Sequence, residues 1–461
     1  MAEEAETAAT GVTALDFDEA RLPRTVVALA WPAMVEQLGY ALLGVVDTIL
    51  VGQLIGSDAL AAVGLGTLLI WLPMCGSAAI AIGATAVVAR DTGAGDTARF
   101  QQALRDSLAL ALAWGAVAAV LMVILAKPML LLMGADEDVV PLGTTFMRAV
   151  GPSMALQSLI FAGGGALRGA GDTRTPMLIA LVVNVVNVVL AYFLISGALW
   201  APEMGVLGSG LAYSLANALG AVVIVGLFVR GMSGLRYDLA RAASLSRRGI
   251  QRVLTVGLPA GLEQLQFQFA FMIYARIVSG LGTEAYAAHT VALRAENLAI
   301  MPGFAFGIAS ATLVGQALGA GRRAAAERAA GLCHLYAMAF MVSTGLVLLV
   351  AAPQVTRIFT GDPEVIDIGA DLLRIFAFAL PGLGTSAALA GGLRGAGDTR
   401  AVMLIYTVCA WLLRIPVAFV FAIPLGLGAQ GAWVGSVVDN SVRGVGIWYR
   451  FRQGRWKHIE V

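Results

Sequence analysis

Leu167-Arg-Gly-Ala-Gly-Asp-Thr-Arg174 and Leu393-Arg-Gly-Ala-Gly-Asp-Thr-Arg400 are the same eight residues, written twice 226 positions apart in a chain of 461. Each copy follows a glycine-rich apolar stretch that includes Gly165 in one case and Gly391 in the other. A repeat at half the chain length implies two related halves. Working outward, other stretches align at a spacing of 226 or 227. Pro32-Ala-Met-Val-Glu36-Gln37-Leu38 parallels Pro259-Ala-Gly-Leu-Glu263-Gln264-Leu265. Gly56-Ser-Asp-Ala59 parallels Gly282-Thr-Glu-Ala285, and Gly93-Ala-Gly95 parallels Gly319-Ala-Gly321.

The halves lie in a very apolar chain. Hydrophobic residues make up 59%, charged residues 13%, and the mean hydropathy is +0.83. A soluble protein of this length needs more charge to cover its surface. Long uncharged or nearly uncharged runs are sufficient to cross a bilayer as helices. Twelve spans are read near 26–53, 59–86, 104–126, 142–166, 177–199, 205–229, 253–280, 286–317, 330–352, 367–392, 402–424 and 428–449. The expected fold is an all-α membrane protein of twelve transmembrane helices in two six-helix lobes. Six spans per half is an even number, so both halves insert the same way, related by a pseudo-two-fold axis along the membrane normal. The expected domains are an acidic, disordered tail at 1–24, an N-lobe at 25–229, a linker at 230–252, a C-lobe at 253–450 and a tail at 451–461.

Basic residues orient the scheme. With both termini on one side, the loops of that side hold 22 Lys and Arg, whereas the opposite loops hold only Lys127 and Arg357. That imbalance puts both termini in the cytoplasm of a cell-membrane protein. The linker carries six of the arginines and reads as a solvated loop near anionic headgroups. The acidic first residues give no sign of a signal peptide. Cys75, Cys333 and Cys409 each sit in an apolar segment without paired spacing, so neither a disulfide framework nor a metal site is expected. His289, His334 and His458 form no ligand cluster. The Gly-Ala-Gly-Asp-Thr-Arg loops are not phosphate loops, since they follow membrane helices and lack the lysine. Their glycines turn the chain, Asp or Thr caps the next helix, and the arginines anchor at the inner face.

Gly44-Val-Val-Asp-Thr-Ile-Leu-Val-Gly52, the two repeated loops, Ala287-Ala-His-Thr-Val-Ala-Leu-Arg294 and Ala311-Thr-Leu-Val-Gly-Gln-Ala-Leu-Gly-Ala-Gly321 together resemble the multidrug and toxic compound extrusion (MATE) family. The resemblance runs from about Arg24 to Arg450, and the branch it resembles most is the prokaryotic DNA-damage-inducible F type. It implies two lobes in a V, and efflux of organic compounds against inward flow of H⁺ or Na⁺, with H⁺ favoured here. The implied partners are the lipid bilayer and small organic, cationic or amphipathic substrates. No nucleic-acid partner, no metal and no cofactor beyond the coupling ion are expected, and the chain is expected to act as a monomer.

An ionised carboxylate at mid-membrane costs at least ~2.5–3.5 kcal/mol, so intramembrane acids are coupling candidates. Asp47 leads, in the stretch that matches the family's acidic residue. Glu36 lies eleven residues earlier on the same helix face, with Tyr40 between them. The competing reading for Asp47 is a structural acid that caps a neighbouring helix or pairs with an arginine; for Glu36, only a couple of turns from the cytoplasmic end, it is a side chain that simply meets water. Asn184 and Asn187 share one face of span five. Relatives often add a carboxylate one turn later, where this chain has Ala191. In the second half Glu263 repeats Glu36, Tyr274 takes the place of Asp47, and Gln266 and Tyr274 share a face with Glu263. Where some relatives carry a glutamate, this chain has Phe267. Arg294 and Glu296 do not face each other on a helix. Each is expected to pair across helices, with Asp439, Arg414 or Arg443 as partners. A flippase for lipid-linked or polysaccharide precursors is the alternative, but it calls for several basic residues lining its cavity. An enzyme needs a metal cluster or a nucleophile–base pair, and neither is visible.

Overall fold

The computed structural model describes residues 15, 17–198, 202–238 and 244–460. Residues 1–14 and 16 of the expected disordered tail lie outside these residues, as does the middle of the linker, Arg241 included; the rest of that tail is not disordered, since Phe17 is buried and Leu22 opens the first helix. Every long element among them is a helix. In the first half they are α1 (Leu22–Leu54), α2 (Ser57–Gly93), α3 (Thr97–Leu132), α4 (Val139–Val150), α5 (Ser153–Gly169), α6 (Arg174–Ser196) and α7 (Gly205–Val229). The second half has α8 (Arg247–Ser279), α9 (Thr283–Gly319), α10 (Arg323–Arg357), α11 (Pro363–Ala377) and α12 (Leu380–Gly395). It ends with α13 (Thr399–Val408), a π-turn at Cys409–Arg414, α14 (Ile415–Ala422) and α15 (Gly428–Arg452).

Eight of these segments are long and apolar enough to cross a membrane, α13 to α14 counting as one. The pairs α4–α5 and α11–α12 each make one span bent by 51° and 52°. Spans four and ten, expected as continuous helices, are therefore broken, and Pro152 and Pro381 mark the start of each second piece. Helices α8 and α15 complete the twelve by length, at 33 and 25 residues, but carry more polar groups.

The duplication is visible in the backbone. Gly56 and Gly282 turn at φ 112° and 116°, Gly95 and Gly321 at 70° and 72°, Gly171 and Gly397 at 95° and 91°. These angles strain any residue with a Cβ. Gly165 and Gly391 have a different task. A Cβ on Gly165 would run into the Ala81 carbonyl of α2, and one on Gly391 into the Gly307 carbonyl of α9. The Thr85 hydroxyl donates to the Gly165 carbonyl at 2.9 Å across the same approach. Gly391→Val therefore forces α9 and α12 apart and lowers thermal stability by about 1–3 kcal/mol. Gly44→Val, with nothing within 4 Å of the added carbon, leaves the melting temperature unchanged in the same thermal scan.

The chain divides into two compact units, one holding Val35–Gly261 and the other Leu15–Met34 with Leu262–Val461. Against the expected lobes, these units differ in where they place the starts of α1 and α8. The first part of α1 belongs with the second half, and the first part of α8 with the first half. Side chains explain both. Phe17, Leu22, Val26 and Leu29 are buried in a core with Leu313, Ala317, Cys333 and Trp456. The Leu15 amide donates to Gln316 Oε1 at 3.2 Å. At the start of α8, Arg252 holds Asp91 through two bonds of 2.6 and 3.0 Å, and the Ser246 amide donates to Asp106 at 2.9 Å. Gly257 and Gly261 lie close against Ala79. Helices α1 and α8 run unbroken through Pro32 and Pro259. Each crosses from one unit to the other two or three residues later.

Candidate functional site

In the first unit the polar residues gather along α1 and α6. Helix α6 presents Asn184 and Asn187 one turn apart, both buried. Gly39 lets α1 come close, since a Cβ there would lie 3.2 Å from Asn184 Nδ2. Two turns on, Asn187 Nδ2 stands 3.4 Å from both oxygens of Asp47. Asp47 is partly exposed and has no ion-pair partner among the described residues. Both side-chain polar atoms of Asn184, and Oδ1 of Asn187, are buried without a hydrogen-bond partner among the described residues. Buried polar atoms are rarely left so. Here they give Asp47 a neighbourhood with spare donors and acceptors and no fixed cation.

Glu36 is in a different state. It is buried at 6% exposure, and Arg168 of the repeated loop reaches both its oxygens at 2.9 and 3.2 Å. Tyr40 is exposed and lies within the field of this pair. The second unit repeats the arrangement, with Arg394 bonded to buried Glu263 at 2.6 Å. The arginines expected to anchor at the inner face thus turn inward. They neutralise the glutamate one turn beyond each proline. In the loops themselves, Asp172 caps α6 by accepting the Arg174 and Thr175 amides at 3.0 and 2.9 Å. Asp398 instead pairs with Arg450 at 2.7 Å.

The position equivalent to Asp47 holds Tyr274, which is 1% exposed. Around it is a charged cluster. Asp439, fully buried, accepts from Arg443 at 2.6 Å and has Arg414 at 3.7 Å. Arg414 also donates to Ser436 at 2.8 Å and stacks over Phe267, Phe271 and Tyr274. The π-turn at Cys409–Arg414 aims Arg414 into this cluster while Trp411 donates to Gln266 Oε1 at 2.6 Å. His289 accepts from Trp433 at 3.1 Å. Asp439 therefore pairs as expected of its type, but Arg294 and Glu296 do not. Arg294 is exposed, Glu296 is partly buried, and neither has an ion pair among the described residues. The arginines assigned to them are already held by Asp439.

Four partners do not follow from the sequence alone. Arg168 and Arg394 recur 226 apart as Glu36 and Glu263 recur 227 apart, a parallel that signals pairing once noticed. Gln157 donates to the Tyr213 hydroxyl at 2.5 Å, and Tyr213 lies within reach of the Asp47 charge. Both are polar residues in apolar spans. No group of three or more metal-ligating side chains occurs among the described residues.

The MatE family pattern matches residues 32–193 and again residues 259–420. The chain is 30% identical to "Probable multidrug resistance protein NorM" of Thermotoga maritima, over 95% of this chain and 94% of that protein. Two crystal structures of MATE share the fold at 25% identity. One, in the straight conformation, gives a TM-score of 0.88 and covers 95% of this chain and 97% of its own. The other, in the bent conformation, gives 0.87, with 94% and 96% covered.

Proposed function

The chain belongs to the MATE family of multidrug efflux transporters, and from that premise we propose that it exports organic cations in exchange for H⁺ at Asp47. It is a multi-pass membrane protein. In our reading it sits in the cell membrane as a monomer with both termini in the cytoplasm, a placement supported by the 22-to-2 distribution of basic residues. It uses no cofactor beyond the coupling ion.

The observation that carries the proposal is the contrast among the acids of the first unit. Glu36 has a guanidinium against both oxygens, and Asp47 has, among the described residues, only the Asn187 amide. A carboxylate fixed by an arginine keeps its charge through a cycle. One facing an amide can gain or lose a proton, because an amide tolerates either form and supplies no charge of its own. Protonated, Asp47 is neutral and its burial in the span costs little. A cationic substrate or Na⁺ arriving beside it favours the charged form and expels the proton. Export follows if proton uptake and substrate release occur facing the outside and the reverse occurs facing the cytoplasm. That alternation is supported by the straight and bent conformations known for MATE structures of the same fold.

The test compares driving ions. Inverted vesicles with an acid lumen are expected to accumulate ethidium, and a protonophore abolishes the uptake. Accumulation driven equally well by an outwardly directed Na⁺ gradient at uniform pH overturns the choice of H⁺.

A further inference from the structure

An arginine inside a membrane span is costly unless it is paired or wet. Arg414, Arg443 and Arg394 are paired. Arg294 is not: it is exposed, lies about 17 Å along α9 from its first residue, and has no ion pair among the described residues. Three acids of the second unit's spans are committed elsewhere. Asp439 holds Arg443 and Arg414, Glu263 holds Arg394, and Asp371 holds Arg374. Glu296 is two residues on, about 200° around the helix, within the field of Arg414. Arg294 does not stand alone on its face. Tyr286, Thr290, Arg294 and Asn297 recur at spacings of four, four and three, which is one side of a helix. Tyr286 and Asn297 are exposed and Thr290 is partly so. About three turns with an aromatic ring, a hydroxyl, a guanidinium and an amide are not a lipid-facing surface.

We propose that this face of α9 binds the anionic group of a small organic substrate, with Arg294 forming the charge-assisted bond and Tyr286 stacking on the substrate's apolar body. A guanidinium presents paired donors that match carboxylate and sulfonate. The substrate class widens accordingly from organic cations to zwitterionic and anionic amphiphiles. This rests on the export reading for its biological sense, but binding is measured without any gradient, so the two fail separately.

The test uses the full chain in nanodiscs of zwitterionic lipid, with empty nanodiscs subtracted. The probes are 8-anilinonaphthalene-1-sulfonate and N-phenyl-1-naphthylamine, which differ by the sulfonate. Arg294→Gln is expected to weaken the sulfonate probe about 10–100-fold and to leave the neutral probe unchanged. Arg294→Lys is expected to retain most of the affinity. Equal loss of both probes assigns Arg294 a structural role and overturns the proposal, as does an unaltered sulfonate affinity. Repeating the measurement with anionic lipid identifies the remaining alternative. If Arg294→Gln changes only the retention of that lipid, the face holds a headgroup and the proposal fails. A wild-type protein that binds the sulfonate probe yet accumulates nothing under any ion gradient refutes the export reading alone.

Discussion

Asp47→Asn is expected to uncouple the transporter. Asparagine keeps the shape of the side chain and its contact with Asn187 Nδ2, now 3.4 Å from both carboxylate oxygens, but it cannot exchange a proton. Coupling free energies of about 1–3 kcal/mol change one ligand's affinity about 5–150-fold when the other binds. In inverted vesicles the effect of an acid lumen on ethidium accumulation should fall from that range to none. Downhill equilibration of ethidium should persist, which separates lost coupling from lost folding. Asp47→Glu should retain part of the gradient's effect. If Asp47→Asn accumulates substrate as the wild type does, the proton is carried elsewhere.

The second large effect concerns the twin ion pairs. Arg168→Gln leaves Glu36 buried without its cation, and Arg394→Gln does the same to Glu263. Breaking such a pair from one side costs about 3–5 kcal/mol. Each single variant should therefore show a large fall in thermal midpoint. The double variant Glu36→Gln/Arg168→Gln removes both charges and should recover most of the loss, because two amides can bond to each other without an uncompensated ion. A single variant as stable as the wild type would mean that Glu36 is neutral and does not depend on Arg168. The comparison also bears on Asp47. If Glu36 is permanently balanced, Asp47 is the acid of α1 left without a guanidinium among the described residues.

Much of this arrangement was legible because it is written twice. Duplicated glycines and prolines predict two halves, and the φ angles of the paired glycines agree to within a few degrees. The face shared by Asn184 and Asn187 followed from helical periodicity alone, and the contact with Asp47 lies on that face. What periodicity could not supply was partnership across long separations. Arg168 and Glu36 are 132 residues apart, and Arg168 was read as a membrane-surface anchor because basic residues near loops usually are. Arg294 and Glu296 were expected to be paired because unpaired charges in spans are costly. The structure assigns Arg414 and Arg443 to Asp439 instead, and a sequence offers no way to rank one acid against another. The broken fourth and tenth spans were missed since their apolar runs continue through the bend. Only the backbone angle separates the two pieces.

The exchange of the first pieces of α1 and α8 dictates an order of assembly. Residues 17–34 are synthesised well before the rest of their unit, yet the core that buries Phe17, Leu22 and Val26 is made of Leu313, Ala317, Cys333 and Trp456, all far downstream. The segment of this unit that is synthesised earliest is thus among the last to find its place. The first half likewise waits for residues 247–261, synthesised after its own sixth span. Neither half can be finished from its own translation product, so a chain cut at the linker yields two fragments that each lack a helix turn or more of their native packing. Gene duplication produced two similar halves, and this reciprocal loan of helices binds them into one inheritable unit.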